Sequence, residues 1–259
     1  MDEIVISKAI TESYTRELLD YMEVDVAVVG GGPSGLAAGY YLGKQGVKTA
    51  LFDKKLSIGG GMMFNKIVVQ DEAKGILDEF GVTAVRYQDG YYVAGSVEAV
   101  SALCYRCVKA GTRIFNLISV EDVMIRENDR ITGLVLNWSA VNIANLHVDP
   151  LVIRAKLVID ATGHDAEVCR IVTRKIGNRL DTKTGNVIGE KPMWAEVGER
   201  ELVAEARQVF PGLLASGMAI NAVYGYPRMG AIFGGMLISG KQAAELAVSL
   251  LNQKLAKGK

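Results

Sequence analysis

Only two histidines occur in this chain of 259 residues, His147 and His164, and they stand 17 positions apart. Asp149 lies beside the first, in Leu146-His147-Val148-Asp149-Pro150, and the second sits in Ala161-Thr162-Gly163-His164-Asp165. Two imidazoles and a nearby carboxylate suit a divalent transition metal such as iron. Spacing alone leaves a plainer arrangement open, one satisfied loop histidine and one surface histidine, because the ligand-dense motifs of structural metal sites are absent. A second candidate pair, Cys104 and Cys107, forms C-x-x-C. It falls in a segment with helical periodicity, where Val97, Val100, Leu103, Cys104, Cys107 and Val108 recur at spacings of three and four. Core packing is the expected role, since free cysteine behaves as a small hydrophobe.

The elements that position these residues begin with a glycine turn. Val24 to Val29 reads as a buried parallel strand and runs into Gly30-Gly31-Gly32-Pro33-Ser34-Gly35. A helix is expected from Ser34 to Gln45, then a strand from Lys48 to Phe52 ending at Asp53, which lies 18 positions beyond Gly35. A lone G-x-G-x-x-G says little; between a strand and a helix, with an acidic residue closing the next strand, it is the dinucleotide fingerprint. Gly30 permits the tight turn, Gly32 lets the backbone reach a pyrophosphate, and Gly35 lets helix and strand pack closely. The free N–H groups of the helix start, at Ser34 among others, face the phosphates. Asp53, with Lys54 beside it, is expected at the adenosine ribose. Gly60 and Gly61, in the loop one strand away, and Met218 complete the expected nucleotide-binding set.

Further along, Ser119 to Ile125 and Ile131 to Trp138 predict a hairpin around Glu127-Asn128-Asp129-Arg130. Lys156 to Asp160 predicts another buried strand, leading into Ala161-Thr162-Gly163. A second glycine turn, Gly230-Ala231-Ile232-Phe233-Gly234-Gly235, precedes a last helix over 234–251. An amphipathic helix is expected over 7–22, with Ile10, Tyr14, Leu18 and Tyr21 on one face. Residues 174–200 are charged and glycine-rich with no clear period and predict a long mobile loop. No repeat or linker interrupts the chain, so one domain spanning 1–259 is expected. The fold class is α/β: a Rossmann-like fold of the two-dinucleotide-binding flavoprotein type, with a parallel central sheet and an inserted antiparallel hairpin or meander.

Composition narrows the function classes. Twenty-nine basic and twenty-nine acidic residues cancel, and no charge block stands out, which argues against a nucleic-acid or membrane surface. The acidic start, Met1-Asp2-Glu3, lacks the apolar run of a secretory signal. The uncharged stretch over residues 211–227 is too glycine-rich for a membrane span. Three cysteines, an odd number, fit a reducing cytoplasm.

Leu146-His147-Val148-Asp149-Pro150, Thr162-Gly163-His164-Asp165 and Arg228-Met229-Gly230-Ala231-Ile232-Phe233-Gly234-Gly235-Met236 together resemble the thiamine thiazole synthase family, in its archaeal-type branch. The likeness runs from about residue 7 to residue 250. It implies an enzyme of thiamine biosynthesis that consumes NAD as a substrate: nicotinamide leaves, the opened ADP-ribose condenses with glycine, sulfur is added, and an adenylated thiazole carboxylate forms. Eukaryotic-type members draw the sulfur from a cysteine two residues before the Asp-Pro. Here that position is His147, so the resemblance implies external sulfide, Fe(II) and multiple turnover. It places the metal on Asp149 and His164, reached from different protomers of a homo-oligomer, an octamer in the family. His147 is left as a third ligand or as a proton shuttle near neutral pH. Arg228, before the second glycine turn, is suited to hold the glycine carboxylate through a two-pronged bond. An FAD-dependent oxidoreductase, a ribose 1,5-bisphosphate isomerase and a non-enzymatic NAD-binding module are the competing readings.

Overall fold

The computed structural model describes residues 1–63, 65–126 and 129–257. Its centre is a sheet whose strands alternate their side chains between two cores. In β1 (Glu23–Val29), Val26 and Val28 enter one core while Val24, Ala27 and Val29 enter the other. In β2 (Thr49–Asp53), Leu51 faces the first core, and Ala50 and Phe52 face the second. Such strands are apolar on both faces because the sheet is covered on both sides. The parallel core of the sheet also contains β6 (Arg113–Asn116), β9 (Leu151–Asp160) and β11 (Leu213–Ala215), in the order β11-β9-β1-β2-β6. β10 (Gln208–Phe210) pairs antiparallel with β11 at one edge.

The expected hairpin is present as β7 (Ile118–Arg126) and β8 (Arg130–Trp138); two of its expected turn residues, Glu127 and Asn128, lie outside the described residues. β9 is longer than the expected Lys156–Asp160 because it serves two partners. Its first residues, Leu151–Arg154, pair antiparallel with β8, and its last, Val158–Asp160, pair parallel with β11 on the same edge. A separate antiparallel sheet is built from β3 (Lys66–Gln70), β5 (Tyr91–Gly95) and β4 (Ala84–Gln88).

On one face α2 (Pro33–Lys44) contacts α4 (Ser96–Lys109) and α9 (Gly234–Lys257), with α3 (Asp71–Phe80) beside α9. On the other lie α6 (Glu167–Ile176), α7 (Ala195–Ala204) and the short α8 (Met218–Tyr224). α5 (Ser139–Ile143) follows the hairpin. Three expectations need correction. The first helix, α1, spans Glu3–Asp20 rather than 7–22, because Asp2 caps it by accepting from the Ile4 N–H at 2.8 Å. It buries no residue, and of the expected face only Leu18 and Tyr21 pack against the body. In α4 the core face is Ala99, Val100, Leu103 and Cys107, with Cys104 half-buried; Val97 and Val108 turn outward. Residues 174–200 are not one loop, since α6 runs to Ile176 and α7 begins at Ala195. The irregular stretch between them is tied down by backbone bonds, among them Gly189 N–H to Ala222 O (2.8 Å), Lys191 N–H to Tyr226 O (3.0 Å) and Trp194 N–H to Arg228 O (3.0 Å).

Candidate active site

A cleft of about 730 Å3 opens where β1, β2 and β9 end. Carboxyl ends of parallel strands are where open α/β sheets bind ligands. Gly30, Gly32, Ser34, Asp53, Lys54, Gly60, Gly61, Met218, Arg228 and His164 all line it. Most of these come from turns that the chain makes where it leaves the sheet.

Local chemistry explains the floor. Gly30 has φ +104°, and a side chain there would meet the Ala161 carbonyl oxygen at 2.4 Å. Gly35 lies behind the cleft; its Cβ would sit 1.9 Å from the Gly30 carbonyl oxygen, so it serves helix–strand packing as expected. Around Gly32 there is open space, which leaves the backbone at the start of α2 accessible. No side chain caps that helix, so its first N–H groups are left for a ligand. Gly59 N–H donates to Gly31 O at 2.8 Å and brings the Gly60-Gly61 loop against the fingerprint. Ser34 lines the wall, but its buried hydroxyl is hydrogen-bonded to that of Ser216 and ties α2 to the Gly217-Met218 turn.

Two carboxylates shape the strand ends. Asp53 accepts from Gly31 N–H (2.6 Å) and Lys55 N–H (2.7 Å), one bond on each oxygen, and a carboxylate oxygen has a further lone pair for a ribose hydroxyl. Asp160, fully buried, accepts from the Thr162 N–H (3.0 Å) and hydroxyl (2.6 Å) on one oxygen and from Cys169 N–H (2.9 Å) on the other. Thr162 Oγ1 in turn accepts from Glu167 N–H (2.7 Å), so the turn bearing His164 is locked between β9 and α6. Asp160 has the same signal as Asp53, an acid closing an apolar strand, and is legible on that ground.

His164 stands half-exposed at the mouth, with Nδ1 2.7 Å from Glu190 Oε1. Glu190 comes from the irregular stretch between α6 and α7. Nothing in its surroundings in the sequence marks it, and only the backbone pairing of 188–191 with 222–228 delivers it. A carboxylate on one imidazole nitrogen orients the ring and leaves Nε2 outward, the usual support for a metal-bound or proton-transferring histidine. Arg228 is exposed at the cleft and forms no ion pair among the described residues.

His147 and Asp149 are not part of this cleft. They lie on an exposed, irregular stretch between α5 and β9, held at Val148 O by Asn137 Nδ2 (3.1 Å). Among the described residues no cluster of three His, Cys, Asp or Glu side chains could hold a metal within one chain. A single chain therefore offers one supported imidazole, and the expected Asp149–His164 ligand pair is not assembled in it.

The second glycine turn rests on a residue that sequence reading misses. Buried Glu199 of α7 accepts from Gly235 N–H (2.5 Å) and from Gln70, and there is no room for a side chain at Gly234 or Gly235. Burial pushes the Glu199 carboxyl upward against the lowering effect of those bonds. The thiols stand apart from the chemistry. None lines the cleft, and burial raises Cys104 to about 11 and Cys107 to about 12.

The Thi4 family model matches residues 7–233. The chain belongs to the Thi4 family. Among its relatives are the thiamine thiazole synthases of Methanothermobacter thermautotrophicus, 61% identical over 97% of this chain and 99% of that protein, and of Pyrococcus horikoshii, 52% identical over 94% and 96%. The crystal structure of Thermovibrio ammonificans THI4 superposes with a TM-score of 0.95 at 51% identity, covering 97% of this chain and 99% of that one. A geranylgeranyl bacteriochlorophyll reductase-like protein from Thermoplasma acidophilum shares the fold at a TM-score of 0.60 and 17% identity. The Thi4 match thus spans both the fingerprint and the His164 turn. The flavoprotein-type architecture read from the fingerprint, hairpin and second glycine turn is the observed one.

Proposed function

We propose that this chain makes the thiazole of thiamine as an adenylated carboxylate, from NAD, glycine and external sulfide. Thiamine thiazole biosynthesis follows from relatives of 52–61% identity over nearly the whole chain. The observation that carries the finer reading is the cleft itself, in which the fingerprint turn, His164 and Arg228 converge. The start of α2 and Gly32 receive the pyrophosphate, and Asp53 receives the adenosine ribose. Arg228, which forms no ion pair among the described residues, holds the carboxylate of glycine. His164, oriented by Glu190, stands over the opened sugar. External sulfide is favoured because none of the three cysteines lines the cleft and the residue two before Asp149-Pro150 is His147.

Fe(II) fits the donors' chemistry but not the geometry of one chain. The second ligand would be Asp149 of another copy, with His147 beside it as neighbour or shuttle. Apolar residues around Asp149 support such a contact: Ile143, Leu146, Val148 and Val152 are exposed. Patches of this kind mark protein–protein surfaces. When bound there, the metal would supply a Lewis acid and a template for sulfide.

Anaerobic incubation with NAD, glycine, hydrosulfide and Fe(II), followed by mass spectrometry, tests the reaction. Repeated turnover to an adenylated thiazole is expected; no consumption of hydrosulfide would overturn the reading. For the shared site, Asp149→Asn and His164→Ala are each expected to be inactive, and a subunit-exchanged mixture to regain activity. A mixture that stays inactive after verified exchange rules out ligands from two copies.

A further inference from the structure

Asp53-Lys54-Lys55 ends β2 with two opposite messages. An acid there receives a ribose hydroxyl, whereas a cation beside it receives a 2′-phosphate. The choice is made 113 residues away: Lys54 Nζ is ion-paired with Glu167, the first residue of α6, and both side chains line the cleft. Asp165 and Asp53 add their fields to that of Glu167 at the same ammonium. Three carboxylates thus act on Lys54, and Glu167 is the one that holds it. Arg170 and Arg174 of α6 line the adjoining hollow beside Lys54, Asp165 and Glu167, and Arg170 Nε donates to the Asp165 carbonyl at 2.8 Å.

We infer that Glu167 sets the cofactor preference of the cleft: by occupying Lys54 and placing its own charge beside Asp53, it makes the site refuse a 2′-phosphate on the adenosine ribose. A phosphate entering there must displace a charge-assisted bond and approach Asp53, Asp165 and Glu167. A hydroxyl needs only the free lone pairs of Asp53. The inference rests on the dinucleotide reading of the cleft and names the residue that decides which dinucleotide enters.

Calorimetric titration of the dialysed protein with ADP-ribose and with 2′-phospho-ADP-ribose tests it. The wild type is expected to bind ADP-ribose more tightly by about tenfold or more. Glu167→Gln should narrow that ratio by about tenfold, the low end for one charge-assisted hydrogen bond released to the phosphate. Lys54→Met, which leaves α6 untouched, should widen it, and decides the matter if Glu167→Gln does not fold. Equal binding of the two ligands by the wild type, or a ratio unmoved by the substitutions, overturns the inference and leaves the dinucleotide site standing. Failure of the wild type to bind ADP-ribose at all overturns both.

Discussion

The two ends of the cleft are built differently. At the end proposed for the nucleotide, backbone sets the features within one chain: Gly30 and Gly35 admit close approach, Asp53 is fixed by two N–H groups, and the start of α2 is left open. At the chemical end the side chains of His164 and Arg228 are exposed, and the residues expected to join them, His147 and Asp149, lie elsewhere on the surface. The contrast has a physical logic. A pyrophosphate needs dipoles and space, which a turn supplies, whereas a metal needs converging side chains on supports that hold them. Among the described residues Glu190 supports His164 there, and no group of three His, Cys, Asp or Glu side chains could hold a metal within one chain.

The contrast breaks if damage at one end spreads to the other. His164→Ala should cost more than about 100-fold in turnover if the imidazole is a ligand, since loss of merely an outer partner costs about 10–100-fold. ADP-ribose affinity should stay within a few-fold, as calorimetry can show. Glu190→Gln should fall in that smaller, outer-partner range. Gly35→Ala is the reciprocal test. Its methyl must move the Gly30 carbonyl, so a loss of about 1–3 kcal/mol or more is expected by denaturant unfolding, with nucleotide binding lost alongside.

Arg228→Ala sharpens the contrast within the chemical end. The Michaelis constant for glycine should rise by about 10–100-fold, the equivalent of one charge-assisted bond, while ADP-ribose affinity is retained. An unchanged constant for glycine would remove Arg228 from the carboxylate role. The smallest effect is expected at Glu199. Its folded-state pKa lies above the unfolded value, so its contribution to stability is complete below the unfolded pKa and is lost as pH rises through the folded one. Glu199→Gln keeps an acceptor for Gly235 and removes the charge. It should raise Tm by about 2–4 °C at pH 8 and flatten the loss of stability between acid and neutral pH, as thermal scans across pH can record.

The nucleotide end was legible in the chain because its determinants are local. The β1–glycine turn–α2–β2–Asp53 run specifies its own hydrogen bonds within about 30 residues, and the near-continuous apolar runs of β1, β2 and the end of β9 identify strands covered on both faces. The hairpin and last helix were legible for the same reason. Less was legible where partners are distant. The dual pairing of β9 and the second sheet depend on which edges meet, and periodicity carries no such information. α4 showed its helical period, but only packing against α2 decided that Ala99 rather than Val97 faces inward.

What the sequence determined by itself is therefore the family, the fold class and the residue types available for chemistry. Their convergence was decided by tertiary structure. Glu190 reaches His164 because residues 188–191 pair with 222–228, Glu167 neutralises Lys54 across 113 positions, and Glu199 seats the second glycine turn. Asp149 stays outside for the same reason: the stretch bearing it leaves α5 on the surface before β9 begins. Side-chain chemistry acts over a few ångströms, and the chain path through the fold sets which groups come that near.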